Sequence, residues 1–350
     1  MDFGINERKP LVSVCIPVYN RPELIKKALD SCLAQTYKNI EIVVVDDAST
    51  DNTYEVIKSY VERDSRVKAY RNEKNLGMVP NWLRTFELAM GEYVQHLGSD
   101  DWLDENFIEK KIEIFLKYPD AAFVGGRIRT YSKNQEGKLI VLNETGFPAG
   151  RYETKYLLDN FYKKPAIISL VCMLRRVDML ENFIVTLPNK WGYDDFYLKG
   201  GKIMDDFVFL KILILYNYMY YIDDAFYNSL DHSENSTKSF FGLKRGKIAD
   251  HIKFSHIDVV GFSYFYKNYA PRHLSKFRIF FGANTLAGAF LDLALGRAHG
   301  SPWRALRNFF SEYSQREKIL SYLKSPAYLI RRIYEWILRK MNPLPIVRIK

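Results

Sequence analysis

The chain has 350 residues, of which 47% are hydrophobic and 26% are charged, and its formal net charge at pH 7 is +10. This length excludes a small disulfide-stapled scaffold and predicts a large folded core, and the composition is ordinary for a soluble globular protein. The three cysteines are widely spaced and form no CxxC pair, and residues 1–10 contain no apolar signal segment. We therefore expect a protein of the reducing cytoplasm.

The first 130 residues alternate short apolar runs with longer helical patterns, which is typical of a parallel sheet with crossover helices. Predicted strands lie at residues 11–18, 40–45, 67–70, 92–97 and 121–124, and another lies at 220–222. Predicted helices run from 22 to 34, from a cap at Ser49 or Asp51, from 80 to 90 and from 104 to 118. This order predicts an α/β protein with a doubly wound, mostly parallel, Rossmann-like sheet.

Three groups of polar and aromatic residues follow the predicted strands. In open sheets of this kind, ligands bind at the carboxyl ends of the strands. The residues at those ends are Pro17, Tyr19 and Asn20 after the first strand, Asp46 and Asp47 after the second, and Asp100 and Asp101 after the fourth. We therefore expect the three groups to form one site at one edge of the sheet.

These residue types suit a sugar nucleotide, which presents a flat base, a ribose and a diphosphate. Asp47 can accept hydrogen bonds from a base N–H or a ribose hydroxyl, and Tyr19 offers an aromatic face to the base. Asp100 and Asp101 supply oxygen ligands of the kind that Mg²⁺ and Mn²⁺ prefer, and a diphosphate needs such a cation beside two carboxylates. Adjacent aspartates also form ordinary turns and helix caps, so the prediction depends on the joint spacing of all three groups.

Five motifs, in this order, resemble those of glycosyltransferase family 2. They are Val14-Cys15-Ile16-Pro17-Val18-Tyr19-Asn20-Arg21, Val45-Asp46-Asp47-Ala48-Ser49-Thr50-Asp51-Asn52-Thr53, Asn75-Leu76-Gly77, Gly91-Glu92-Tyr93 and Ser99-Asp100-Asp101. The resemblance, which runs from Pro10 to Ser236, implies a GT-A fold, an inverting mechanism and a metal-bound nucleoside diphosphate sugar such as a UDP-sugar.

The resemblance also implies roles for single residues. Pro17, Tyr19 and Asp47 would contact the nucleoside, Asp101 would bind the cation, and Asp100 would lie near the ribose and the sugar. We count Asn20, Asp46 and Asn75 as further candidates for donor binding, although Asn75-Leu76-Gly77 is also a plain turn sequence.

An inverting transfer needs a carboxylate that removes the proton of the attacking acceptor hydroxyl. The family places this base in a Glu-Asp pair, which Asp205-Asp206 matches with Asp in place of Glu, so Asp206 is the predicted base. A helix N-cap is the alternative role for Asp206, and Asp194-Asp195 is a rival pair. His232 matches a histidine of the family pattern that touches the diphosphate or the metal, and a surface histidine is the alternative.

The basic excess lies in the C-terminal region, which is predicted to be mainly helical and to follow a catalytic domain at residues 1–240. Residues 241–350 contain 20 Lys and Arg against 6 Asp and Glu. Apolar residues recur with helical spacing between Ile330 and Met341, with Arg331, Arg332 and Arg339 beside them. Such a helix binds the surface of an anionic membrane or packs on the catalytic domain, and the sequence leaves both open.

A membrane contact would suit a lipid-linked oligosaccharide acceptor, as in bacterial surface polysaccharide assembly, and a glycan is the other acceptor class.

Two other classes of protein remain as alternatives, namely a nucleotide-sugar-binding partner subunit without activity and a nucleic-acid-binding protein. The acidic balance of residues 1–240 and the absence of a recognition motif argue against nucleic acid. Trp102 and Trp191 are candidates for an acceptor groove or for core packing.

Overall fold

The computed structural model describes residues 9–154, 171–183 and 215–232, together with residues 212, 317 and 321. The described strands are β1 (Val12–Val18), β2 (Ile40–Asp46), β3 (Val67–Arg71), β4 (Tyr93–His96), β5 (Trp102–Leu103), β6 (Ala121–Lys133), β7 (Leu139–Thr145), β8 (Gly150–Glu153), β9 (Met173–Arg175) and β10 (Tyr218–Leu230). The described helices are α1 (Leu24–Leu33), α2 (Thr53–Arg63), α3 (Met78–Leu88), α4 (Phe107–Lys117) and α5 (Arg176–Phe183). Strands and helices alternate from β1 to β4, as the sequence predicts.

The described strands form a mixed sheet in the order β3-β2-β1-β4-β9-β6-β10-β5, with β7 paired to β6 and β8 paired to β10. Strands β3, β2, β1 and β4 run parallel to one another, and β6 runs parallel to β10. Strands β5, β7, β8 and β9 join in the antiparallel direction. The predicted α/β fold with a parallel, doubly wound unit is therefore confirmed.

The central parallel strands form the core because helices cover both of their faces. Every residue of β1 and β2 is buried. Ile16 of β1 belongs to the apolar cluster that includes Ile25 of α1. Its neighbour Cys15 points to the other face, where its thiol donates to the carbonyl oxygen of Thr85 on α3. Strands buried on both faces have continuous apolar sequences, which is why β1 and β2 are easy to predict.

Two strands are longer than the sequence predicts. Strand β6 has 13 residues where four were expected, and β10 has 13 where three were expected. Polar residues interrupt the apolar pattern of both strands. In β6, Arg127 and Arg129 alternate with smaller residues, and in β10, Asp223-Asp224 lies at a register shift. A strand predicted from a run of apolar residues ends where such polar residues begin, so both strands are predicted too short.

Helix α3 begins two residues before the predicted start at Pro80. Proline is tolerated there because backbone N–H groups in the first turn have no partner within the helix. The residue before the helix is Gly77, whose φ of 88° lies in the left-handed region that favours glycine. This conformation turns the chain sharply into α3, and the same glycine contacts the candidate site.

The chain divides into two compact units, one formed by residues 1–157 and 165–231 and the other by residues 158–164 and 232–350. The strands and helices named above all belong to the first unit. The predicted boundary at residue 240 and the predicted helices of residues 241–350 lie outside the described residues, apart from Glu317 and Ser321. Among the helices that the structure describes, none is long and apolar enough to cross a membrane.

A fully buried lysine joins α4 to the sheet. The ammonium group of Lys111 donates to Gln95 Oε1 at 2.9 Å and to the carbonyl oxygen of Val171, and it lies 3.9 Å from the centre of the Phe107 ring. Burial lowers the pKa of Lys111 from 10.5 to about 7. Between these two values the unfolded chain binds more protons than the folded chain, so this residue makes the protein more stable as the pH rises.

Replacing Lys111 by Met removes this proton linkage. Between pH 6.5 and 9 we expect the wild type to gain about 2 kcal/mol of unfolding free energy relative to Lys111→Met, since one pKa unit corresponds to about 1.36 kcal/mol. Urea denaturation at both pH values measures the difference. Lys117→Met, at an exposed position of the same helix, is the control. Its unfolding free energy should differ from that of the wild type by a similar amount at pH 6.5 and at pH 9. A constant difference for Lys111→Met would contradict the linkage.

Candidate functional site

The strand register brings the predicted groups to one edge of the sheet. Strand β1 lies between β2 and β4, and the parallel register pairs Val18 with Asp46 and Cys15 with His96. Since neighbouring strands are about 4.8 Å apart, strands β2 and β4 lie about 10 Å apart on either side of β1. The loops that carry Asp47 and Asp101 therefore leave the sheet at the same edge, on either side of the loop after β1.

The loop after β1 is hydrogen bonded to the loop after β2. Asn20 has a φ of 52°, in the left-handed region that Asn tolerates better than most residues. Its backbone N–H donates to Ser49 Oγ at 2.9 Å, and its Oδ1 accepts from the backbone N–H of Thr50 at 2.8 Å. Asn20 thus fixes the two loops against each other. The adjacent Tyr19 is 43% exposed, so its ring is accessible to a ligand.

Asp46 is fully buried and organises the turn that follows β2. Its carboxylate accepts from the hydroxyl of Ser49 and from the backbone N–H of Ser49 at 3.2 Å. Arg71 Nε lies 3.2 Å from the same carboxylate. Burial raises the pKa of Asp46 in spite of these partners. The structure thus gives Asp46 a role within the loop, and its predicted contact with the donor stays a prediction.

Asp47 holds the chain segment that leads into α3. Its Oδ1 accepts from Asn72 Nδ2 at 2.7 Å and from the backbone N–H of Leu76 at 2.8 Å, and its Oδ2 accepts from the backbone N–H of Gly77 at 2.9 Å. A carboxylate has about four acceptor positions, so about one remains for a ligand. Asn75 is exposed, and its Oδ1 also accepts from Gly77 at 3.1 Å.

Asp101 is fixed by contacts with β10. The hydroxyl of Tyr227 donates to Asp101 Oδ2 at 2.8 Å, and the backbone N–H of Leu230 donates to Asp101 Oδ1 at 3.1 Å. The Tyr227 hydroxyl in turn accepts from the backbone N–H of Gly98 at 2.9 Å. A Cβ atom on Gly98 would lie 2.8 Å from Asp101 Oδ2 and 3.0 Å from Asp100 Oδ1, so only glycine lets the chain pass this close.

The paired carboxylates lie beside one arginine of the described residues. Arg21 forms an ion pair with Asp100 at 2.6 Å, which ties the loop after β1 to the loop after β4. Burial and, secondly, the neighbouring charge of Asp100 raise the pKa of Asp101 to about 7. A divalent cation would stabilise both carboxylates in their charged forms. The oxygen donors therefore fit the predicted Mg²⁺ or Mn²⁺.

Two carboxylates supply only part of a coordination shell. Across the described residues, no group of three or more His, Cys, Asp and Glu side chains is arranged to hold a metal ion. Mg²⁺ is commonly held by one or two carboxylates together with substrate phosphates and water, so a diphosphate would complete the shell. His232, the other predicted ligand, follows β10 and is partly buried, and its role stays a prediction.

His96 lies beneath the site between β4 and α3. Its ring makes an edge contact with Trp82 at 5.2 Å between centroids, and it also contacts Phe86 at 6.3 Å. Within the described part of the chain, neither ring nitrogen has a hydrogen-bond partner. Burial lowers the pKa of His96 to about 3, so the ring is neutral and packs as an aromatic residue.

The sequence predictions for the site divide into two sets. The structure brings together the residues at the strand ends, with Pro17 buried in β1 and Tyr19 exposed beside it. The predicted catalytic pair Asp205-Asp206 and its rival Asp194-Asp195 lie outside the described residues.

Three residues that sequence reasoning gave no part in the site contribute to it, namely Arg21, Gly98 and Tyr227. A glycine directly before Ser99-Asp100-Asp101 is a usable signal, because it indicates close approach of the backbone. Tyr227 gives no local signal, since it is 126 positions away from Asp101.

Comparisons with known proteins find related sequences and a shared fold. Residues 13–183 match the family model described as glycosyl transferase family 2. The glycosyltransferase GlyA of Streptococcus pneumoniae is 28% identical over 225 residues, which are 62% of this chain and 30% of that protein. The chain spans less than half the length of the curated relatives that it matches first, from 22% to 47% of each.

Solved structures share the fold at low identity. Residues 1–349 of TarS from S. aureus, in complex with UDP-GlcNAc, align with a TM-score of 0.59 at 17% identity and cover 93% of this chain and 91% of that chain. The mannosyltransferase PcManGT from Pyrobaculum calidifontis, in complex with GDP-Man and Mn²⁺, aligns with a TM-score of 0.50 at 17% identity and covers 94% and 87%. Residues 13–183 are therefore similar in sequence to glycosyltransferase family 2, and the chain shares the GT-A fold of these solved structures.

Proposed function

We propose that the protein is an inverting glycosyltransferase that moves a sugar from a UDP-sugar to a hydroxyl group of a glycan or a lipid-linked oligosaccharide. The observation that carries the proposal is the convergence of Tyr19, Asp47 and Asp101 at one edge of the sheet. An aromatic face, a hydrogen-bond acceptor and a pair of cation ligands match the base, the ribose and the diphosphate of such a donor.

The nucleoside would bind over the loops after β1 and β2. Tyr19 has an exposed ring that can stack on the base, and Asp47 has about one free acceptor position for a base N–H or a ribose hydroxyl. The hydrogen bonds of Asn20 to Ser49 and Thr50 hold these two loops in place before the donor arrives. Preorganisation of this kind lowers the entropy lost on binding.

The diphosphate would bind beside Asp100 and Asp101. Tyr227 and Leu230 hold the Asp101 carboxylate in one orientation, and Arg21 holds that of Asp100. When bound, Mg²⁺ or Mn²⁺ would stabilise the negative charge that develops on the departing diphosphate. The Mn²⁺ bound in PcManGT is consistent with this assignment.

The acceptor hydroxyl needs a base on the side of the sugar opposite the leaving diphosphate. We assign this role to Asp206, with Asp205 beside it, from the family pattern. Asp206 would take the hydroxyl proton as the oxygen attacks the anomeric carbon, and the bond to the diphosphate would break on the other side. We also propose that residues 241–350 contact an anionic membrane surface, which would suit a lipid-linked acceptor.

Donor binding can be measured by thermal unfolding with a panel of UDP-sugars and GDP-mannose, with and without Mn²⁺. A true donor at 100 times its Kd adds about 2.7 kcal/mol to the unfolding free energy, which corresponds to a rise of about 5 °C or more. Asp101→Asn keeps the side-chain shape but loses a cation ligand, so it should lose the Mn²⁺-dependent part of the rise.

Asp120→Asn, which removes an exposed carboxylate before β6, is the matched control and should keep the rise. If no UDP-sugar raises the melting temperature in the presence of Mn²⁺, or if Asp101→Asn behaves as the wild type, the proposed donor site is wrong.

The base assignment can be tested by UDP release from the donor that the panel identifies, with a panel of oligosaccharides as acceptors. General base catalysis contributes about 100-fold to 10,000-fold, so Asp206→Asn should lower kcat by at least about 100-fold while the donor still raises the melting temperature. Asp195→Asn should have a much smaller effect. The reverse ranking would assign the base to Asp195, and donor binding without turnover in the wild type would favour an inactive binding subunit.

A further inference from the structure

A row of cations lies on one face of the sheet next to the candidate site. Arg127, Arg129, Tyr131 and Lys133 occupy alternate positions of β6, so their side chains share a face. The ring of Tyr131 packs against Trp102 with 4.9 Å between centroids, and Trp102 directly follows Asp101 in the chain. Together with Lys27 of α1, the three basic residues of β6 form what we call the cationic row.

The arginine end of this row is held in place by a carboxylate. Glu144 of β7 accepts from Arg129 Nε at 2.7 Å and from an Arg127 guanidinium nitrogen at 3.1 Å. The Arg129 guanidinium also lies 3.7 Å from the centre of the Phe226 ring. One carboxylate therefore serves two guanidinium groups, which leaves a local excess of positive charge.

At the lysine end of the row, the described residues include no carboxylate paired with an ammonium group. The ammonium of Lys27 lies 3.0 Å from the centre of the Trp102 indole ring. Within the described ranges, neither Lys27 nor Lys133 forms an ion pair with a carboxylate. Partial burial and, secondly, the charge of Lys133 lower the pKa of Lys27 to about 8. Two ammonium groups that repel each other beside an aromatic ring would be stabilised by an anion between them.

The position of the row favours the acceptor over the donor as its ligand. The diphosphate of the donor is already matched by the carboxylates at Asp100 and Asp101, whereas the row lies on β6, and strand β10 separates β6 from the strand that follows Asp101. From Arg127 to Lys133 the strand covers about 20 Å, at about 3.3 Å per residue. This length exceeds one sugar ring and suits a chain that carries repeated negative charges.

We propose that Lys27, Lys133 and Trp102 form an anion subsite at the start of an acceptor groove, and that the acceptor is an anionic saccharide bearing carboxylate or phosphate groups. The ammonium groups would bind the charges, and the arginine end of the row would bind further charges along the chain. This inference rests on the proposed function, because it takes the neighbouring site to be the donor site.

Calorimetric titration of the full chain with three oligosaccharide probes tests the inference. The probes are tetragalacturonate, which carries carboxylates, a mannopentaose phosphate, and neutral maltohexaose. We expect at least one anionic probe to bind tenfold or more tightly than maltohexaose. Whichever of the two anionic probes binds more tightly shows whether the acceptor carries carboxylate or phosphate groups. The double variant Lys27→Gln/Lys133→Gln should weaken that binding at least tenfold.

A matched control removes two charges from the same two regions of the chain. Lys26 and Lys138 are each paired with a carboxylate, at 2.8 Å from Glu23 and 3.3 Å from Glu136. Lys26→Gln/Lys138→Gln should therefore change the binding less than threefold. An unchanged melting temperature of both double variants shows that they fold. Equal weakening by the two double variants, or no preference of the wild type for anionic probes, would overturn the inference.

The same titration with a UDP-sugar and Mn²⁺ separates this inference from the proposed function. If the wild type binds the donor but shows no preference for anionic saccharides, the anion subsite is wrong and the proposed function stands. If the donor does not bind, the proposed function fails whatever the probes do.

Discussion

The candidate site depends on the attachment of the loop after β1 to the loops on both sides of it. On one side, Asn20 is hydrogen bonded to Ser49 and Thr50 in the loop after β2. On the other side, Arg21 is paired with Asp100 in the loop after β4. Two adjacent residues thus connect the part of the site that suits a nucleoside with the part that suits a diphosphate. The backbone N–H of Arg21 also donates to the hydroxyl of Thr53 at 2.8 Å, which adds to the attachment on the β2 side.

Several carboxylates at this edge form hydrogen bonds within the fold and are also candidates for ligand binding. The Asp46 carboxylate contacts Ser49 of its own loop and Arg71 of β3, and Asp47 uses about three of its acceptor positions to hold the segment before α3. Burial and the neighbouring carboxylate of Asp100 raise the pKa of Asp101 to about 7. A cation and a diphosphate would stabilise its charged form. The same edge therefore combines carboxylates that are satisfied within the fold with one that a ligand would stabilise.

The sequence predicts the parallel half of the fold well because its strands are buried on both faces. Such strands are continuous apolar runs, as in β1 and β2, and their ends carry the motif residues. The strands β6 and β10 were predicted too short because Arg127, Arg129 and Asp223-Asp224 interrupt their apolar character. Those strands have polar positions where one face meets solvent or where the register shifts.

The part of the site that the sequence does not predict consists of contacts between distant segments. Tyr227 reaches Asp101 only because β10 folds back beside β5, and no local pattern indicates this pairing. The same holds for Lys27 and Trp102, which come from α1 and β5 and meet at the edge of the sheet. Trp102 was open to two interpretations in the sequence, and its contacts with Lys27 and Tyr131 place it beside the site. Packing of this kind follows from the complete fold and not from spacing along the chain.

The donor site at the strand ends can be tested by a crystal structure. Crystals of the protein are soaked with UDP and Mn²⁺, and data are collected at the manganese absorption edge. We expect one anomalous peak in contact with the Asp101 carboxylate and the diphosphate, with the uracil ring next to Tyr19 and Asp47. A manganese peak away from Asp101, or a UDP molecule bound at another face of the sheet, would contradict the proposed donor site.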